Sequence, residues 1–140
     1  ALTAYHASNH RSQWIETTQN QVVLDAYNAN PTSVSHAVAS FHTRDHASPV
    51  VFLGEMGELG PSSASAHAEA ADQVLGLGIE LWTVGEGFKA FFLERPHAAW
   101  KHFPDFKALK DHLDEHPLTA RQVLVKGSRS AGLERIMPYL

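Results

Sequence analysis

Pro49-Val50-Val51-Phe52-Leu53 runs straight into Gly54-Glu55-Met56-Gly57-Glu58-Leu59-Gly60-Pro61, and this junction decides the fold. Residues 50–53 are apolar without a break, and the run is too short for a helix. It predicts a strand covered on both faces, the habit of strands inside a parallel sheet. The glycine-punctuated stretch after it predicts a loop. Ser62 and Ser63 are placed to cap a following helix, with Ala68, Ala71 and Leu75 facing inward and Gly76 and Gly78 ending it.

The same alternation extends in both directions. Upstream, residues 12–25 predict two strands joined by a polar turn at Gln19-Asn20, with Trp14, Ile15, Val22, Val23 and Leu24 supplying β-forming side chains. Asn30 then reads as an N-cap and Pro31 as the first helical residue, where a missing N–H costs nothing. Val34, Ala37, Val38 and Phe41 fall on one helical stripe. Downstream, residues 80–84 predict a strand ending at Gly85, residues 86–93 a helix, and Trp100 to Phe103 a short strand. Pro104-Asp105 starts a helix carrying Phe106, Leu109 and Leu113, and Gln122 to Val125 a last strand. Lys126-Gly127-Ser128-Arg129-Ser130 forms a loop before a final helix marked by Leu133, Ile136 and Met137.

Strands alternating with helices predict an α/β fold: an open, mostly parallel sheet with helices on both faces and an antiparallel pair at its start. Loops following parallel strands collect at one edge, and ligands bind there near a switch in strand order. The loops after residues 25, 53 and 126 are therefore expected to share a site.

With 140 residues the chain is one domain, and its 44% hydrophobic and 19% charged content is that of a folded globule. The net charge of −4 disfavours nucleic acid and anionic membrane as partners. No apolar run approaches the ~20 residues of a membrane span. Absence of cysteine removes disulfides, thiolate metal sites and cysteine nucleophiles. Ten histidines should carry the surface charge through zero in mild acid. A start at Ala1 rather than Met raises the expectation of a processed or excised piece.

Each loop supports two readings. Asp25, closing an apolar strand, could take ribose hydroxyls or act as a turn carboxylate. Tyr27 could stack on a base or pack in the core, and Asn28 and Asn30 are turn formers first and ligands second. Lys126 to Ser130 could direct backbone N–H groups, a helix start and two cations at an anion, or could be a capped helix with solvated cations. Gly85-Glu86-Gly87-Phe88-Lys89 lacks P-loop spacing. His42/His46 and His112/His116 have metal-compatible i, i+4 spacing but lack the glutamate of a metalloprotease motif. His67 reads as a local packing group.

Four stretches in register carry a resemblance. Asp25-Ala26-Tyr27-Asn28-Ala29-Asn30-Pro31-Thr32-Ser33 resembles the D-x-Y-N-A-N-P-x-S of Mur ligases, and Leu53 to Gly60 resembles L-G-D-M-x-E-L-G. Lys126 to Ser130 with Leu133-Glu134 resembles K-G-S-R-S-x-x-L/M-E, and Asn9-His10-Arg11 resembles the N-x-R that opens the same domain. Glu55 departs from the commoner aspartate. These are the motifs of the dipeptide-adding branch of the family.

The resemblance implies that residues 1–140 are the C-terminal domain of a three-domain enzyme, a Rossmann-like three-layer sandwich. It implies a bacterial cytoplasmic, monomeric ligase using ATP and magnesium to join D-alanyl-D-alanine to UDP-N-acetylmuramoyl-tripeptide through an acyl phosphate. The P-loop and magnesium ligands would lie in the other domains, leaving this chain inactive alone and with no metal site. Arg11, Asp25, Tyr27, Asn28 and Asn30 would face the nucleotide. Gly54, Glu55, Lys126, Gly127, Ser128, Arg129 and Ser130 would face the dipeptide. Two other assignments fit the same residues: a ligase domain of this superfamily adding another amino acid, and a stand-alone doubly wound binding module.

Overall fold

The computed structural model describes residues 13–25, 29–44, 48–128 and 131–140. Among the described residues six strands form one sheet: β1 (Gln13–Glu16), β2 (Gln21–Asp25), β3 (Pro49–Gly54), β4 (Glu80–Val84), β5 (Trp100–Phe103) and β6 (Gln122–Lys126). They lie in the order β1-β2-β6-β3-β4-β5. Only β1 is antiparallel to its neighbour; β2, β6, β3, β4 and β5 run parallel. The expected α/β architecture, with an antiparallel opening pair, is the one observed.

Helices cover both faces. On one face α1 (Pro31–His42), α2 (Ser63–Gly76) and α3 (Lys89–Glu94) enclose Val23, Val51, Leu53, Leu81 and Leu124. On the other, α4 (Phe106–Glu115) and the 3₁₀ segment Leu133–Tyr139 enclose Val22, Val50, Phe52, Trp82 and Val125. Alternate residues of each strand thus serve opposite cores, which is why the strands read as unbroken apolar runs. Phe52 and Trp82 stack at 5.0 Å between centroids in the second core.

Local chemistry sets the boundaries. Asn30 caps α1 through a reciprocal pair: its Oδ1 accepts the Ser33 N–H at 2.9 Å, and Ser33 Oγ accepts the Asn30 N–H at 3.0 Å. Asp105 caps α4 by accepting the Ala108 N–H at 2.9 Å.

Four local expectations are corrected or refined. Neither Ser62 nor Ser63 caps α2 with its side chain. A 3₁₀ turn, Gly60–Ser62, leads into the helix instead, and Ser62 Oγ donates to the Leu59 carbonyl. The buried stripe of α2 is Ala66, His67, Ala70, Ala71 and Val74; Ala68 and Leu75 are only half-buried. The predicted helix at 86–93 is a 3₁₀ turn, Glu86–Phe88, running into α3, and the last helix is 3₁₀ throughout, with Pro138 inside it.

The topology creates the crevice. From β2 the chain passes through α1 to β3, then outward to β4 and β5. Helix α4 returns it on the opposite face and inserts β6 between β2 and β3. Adjacent strands β3 and β6 then leave toward opposite faces, β3 to α2 and β6 to the 3₁₀ segment. That divergence is the switch point where sheets of this kind open a binding cleft.

Candidate functional site

Asp25, Gly54 and Lys126 end three neighbouring parallel strands, with Asp25 in register with Lys126 and Lys126 with Leu53. Of the residues singled out in the sequence, the structure brings together Asp25, Gly54, Glu55, Lys126, Gly127 and Ser128 at this edge. Arg11, Tyr27, Asn28, Arg129 and Ser130 lie outside the described residues, as does His46. Asn30 stands at the start of α1, where its side-chain oxygen is engaged in the cap.

Lys126 Nζ lies 2.9 Å from Asp25 Oδ1, with side-chain exposures of 2% and 12%. Lys126 is therefore not a solvated cation. Its charge is set against the carboxylate of the adjacent strand in a place where water screens little, so each group fixes the other.

Gly54 and Gly127 let β3 and β6 diverge while their backbones touch. A Cβ on Gly54 would meet Ala131 Cβ at 3.1 Å and Gly127 Cα at 3.3 Å; one on Gly127 would meet Gly54 Cα at 3.3 Å. Beyond them Ser128 Oγ donates to the Glu55 carbonyl at 2.9 Å and accepts the Ala131 N–H at 3.3 Å. The Ala131 N–H also reaches the Ser128 carbonyl at 3.1 Å. The loop leads into a 3₁₀ segment with a first donor already engaged, so the helix-start dipole expected from the sequence is shorter and weaker than that of an α-helix.

A fourth loop, unassigned from the sequence, joins the site. Glu55 Oε1 accepts the Gly87 N–H at 3.1 Å. The Glu55 side chain thus spans from the β3 loop to the β4 loop. Gly85, at φ +114°, makes room: a Cβ there would collide with Glu55 Oε1. The signal in the sequence was Gly85-Glu86-Gly87 directly after an apolar strand.

Among the described residues no three His, Cys, Asp or Glu side chains gather as a metal ion requires. His112 and His116 stack ring on ring at 4.7 Å, and His112 meets Trp82 edge-on at 5.2 Å. Burial lowers the His112 pKa, with the neighbouring His116 and Lys101 adding to the effect. Burial likewise lowers that of His102, whose Nδ1 sits 2.8 Å from Thr83 Oγ1. Both rings therefore take up protons less readily in the fold than in the unfolded chain, where the ordinary value is 6.5. Stability should be full above that value and fall as pH drops through it; the urea midpoint is expected to be lower at pH 5.5 than at pH 7.5.

A doubly wound sheet whose loops meet beside a strand-order switch defines an α/β ligand-binding domain. The chain belongs to the Mur ligase family, since residues 10–129 match the family model for the Mur ligase, glutamate ligase domain. It is 38% identical over 133 residues to the UDP-N-acetylmuramoyl-tripeptide--D-alanyl-D-alanine ligase of Treponema pallidum (strain Nichols), covering 84% of this chain and 27% of that protein. It is 32% identical over 131 residues to the ligase of the same name from Escherichia coli (strain K12), covering 90% and 28%. A crystal structure of MurF from Acinetobacter baumannii superimposes with a TM-score of 0.76 at 26% identity, over 92% of this chain and 30% of that one. MurF from Thermotoga maritima, solved in complex with ADP, shares the fold at 20% identity with a TM-score of 0.68. The chain thus spans less than a third of the length of these relatives.

Proposed function

We propose that residues 1–140 form the C-terminal domain of a bacterial cytoplasmic, ATP-dependent ligase that joins D-alanyl-D-alanine to UDP-N-acetylmuramoyl-tripeptide, acting as a monomer. One observation carries the reading. Motifs distant in the sequence, and similar to those of the dipeptide-adding branch, end on the adjacent strands β2, β6 and β3 and are bonded to one another through Lys126–Asp25 and Ser128–Glu55.

In that reaction the tripeptide's terminal carboxylate takes the γ-phosphoryl group of ATP, releasing ADP. The dipeptide amine then attacks the acyl carbon, and inorganic phosphate leaves as the amide forms. Such chemistry rests on positioning and on neutralising charge. The domain would supply one wall of the cleft and close over the reactants as a hinged unit. The remainder of the enzyme would hold the triphosphate and magnesium, so the isolated chain is not expected to turn over ATP.

On the nucleotide side, Asp25 would take the ribose hydroxyls, oriented by Lys126; Arg11 would reach the phosphates, and Tyr27, Asn28 and Asn30 would line the same side. On the acceptor side, the loops at 54–58 and 126–130 would hold the dipeptide. Arg129, the cation of that loop with a planar fork of donors, suits its carboxylate. In the full-length enzyme Arg129→Ala is expected to raise the KM for D-alanyl-D-alanine about tenfold, the worth of one charge-assisted hydrogen bond, and the KM for ATP by less. Steady-state kinetics with each substrate varied in turn would decide, and the reverse ranking would overturn the assignment.

A further inference from the structure

His67 is fully buried near the start of α2 and has no part in the roles proposed above. Its Nε2 accepts the Met56 N–H at 2.9 Å, and its Nδ1 lies 2.7 Å from the Ser63 carbonyl oxygen. A carbonyl can only accept, so Nδ1 carries the hydrogen and Nε2 offers the lone pair. The ring stands edge-on to Phe88 at 4.7 Å. Gly87 lies so close that a Cβ there would sit 2.5 Å from Nε2.

One imidazole therefore occupies the junction of three segments: the β3 loop, the first turn of α2 and the β4 loop. Met56, whose N–H it holds, follows Glu55, and Glu55 itself binds Gly87 through its carboxylate and Ser128 through its carbonyl. A histidine kept for volume alone would touch hydrocarbon on all sides. This one spends both ring nitrogens on backbone groups, one of them in the loop that carries Glu55.

We infer that His67 is a positioning residue for the acyl-acceptor (dipeptide) side of the site. It fixes the Glu55-Met56 backbone, and with it the carbonyl that orients Ser128. The inference rests on the reading above that the loops at 54–58 and 126–130 hold the dipeptide.

The test uses the full-length enzyme. His67→Leu keeps the bulk and loses the acceptor. It is expected to raise the KM for D-alanyl-D-alanine about tenfold, leaving kcat and the KM for ATP within about twofold, the pattern of a misplaced binding loop. His67→Gln, whose side-chain oxygen can reach the Met56 N–H, should return the acceptor KM to within about threefold of the wild type. Hydrogen exchange at the Met56 amide should accelerate in the leucine variant and recover in the glutamine one. Gly87→Ala, which displaces the ring from the opposite side, should reproduce the leucine pattern and serves if His67→Leu does not fold. An equal rise in both KM values, or glutamine no better than leucine, would overturn the inference. An active wild type whose His67→Leu variant keeps its acceptor KM would overturn it alone. A wild type that ignores D-alanyl-D-alanine would instead overturn the function reading and the substrate part of this inference together.

Discussion

Lys126→Met is expected to be among the most damaging single substitutions in this domain. It removes the ammonium that lies 2.9 Å from the Asp25 carboxylate at a buried strand end, and breaking a buried ion pair by deleting one partner costs about 3–5 kcal/mol. For a domain of 140 residues that is a fall of about 10–17 °C in Tm. Asp25→Asn alone should cost a similar amount, since it removes the carboxylate that faces the buried ammonium. The double variant Asp25→Asn/Lys126→Met removes both charges and should recover more than half of the loss. Thermal denaturation of the four proteins gives the coupling directly as a double-mutant cycle. Additive losses would show that the two groups do not depend on each other. In the whole enzyme the double variant should regain stability without regaining affinity for ATP, because the proposed ribose contact needs the carboxylate and not merely a folded strand end.

That pair also marks how far the sequence could be read. Asp25 announced itself as a polar residue closing an apolar strand and Lys126 as the first residue of the loop after one, and the strand–helix alternation placed both at one edge of the sheet. Their bond was invisible, because it joins residues 101 positions apart and exists only since α4 returns β6 to the gap between β2 and β3. Strand adjacency in a parallel sheet is set by crossovers, and no local pattern encodes it. The cap at Asn30-Pro31 was legible for the opposite reason: all its bonds lie within three residues.

Helix α2 shows a different limit. Ala66, Ala68, Ala70 and Ala71 have equal hydropathy, so periodicity alone could not choose its buried stripe. The choice was made by His67, a polar residue whose burial depends on acceptor and donor partners in other segments. The closing segment departed from the expected α-helix because its start is a left-handed Gly132 and its interior holds Pro138, which has no N–H to give. Glu55 read as a dipeptide contact by family resemblance. Its bond to Gly87 adds a structural task that an aspartate, one methylene shorter, would meet only if the loops drew closer.

The second large effect is expected at Gly85. Its φ of +114° with ψ near 160° belongs to a region that side chains rarely enter, and holding a residue there costs about 1–3 kcal/mol. Crowding adds to the strain, because a Cβ would fall 2.8 Å from Glu55 Cβ as well as against its carboxylate. Gly78 separates the two terms. It too has positive φ, +75°, but nothing lies within 4 Å of the Cβ it would gain. Gly78→Ala should therefore cost about 1 kcal/mol and leave the kinetics alone, being strain without displacement. Gly85→Ala should cost about 3 kcal/mol and also push Glu55 off the Gly87 N–H, raising the acceptor KM of the full-length enzyme while the KM for ATP holds. Chemical denaturation and steady-state kinetics on the two variants give four numbers. Equal stability losses with no change in acceptor KM would mean that the β4 loop merely closes the fold. Unequal losses, with the kinetic change confined to Gly85→Ala, would make the Glu55–Gly87 bond part of the acceptor wall, and the width of that wall would then be set from a strand outside the four stretches that carry the resemblance.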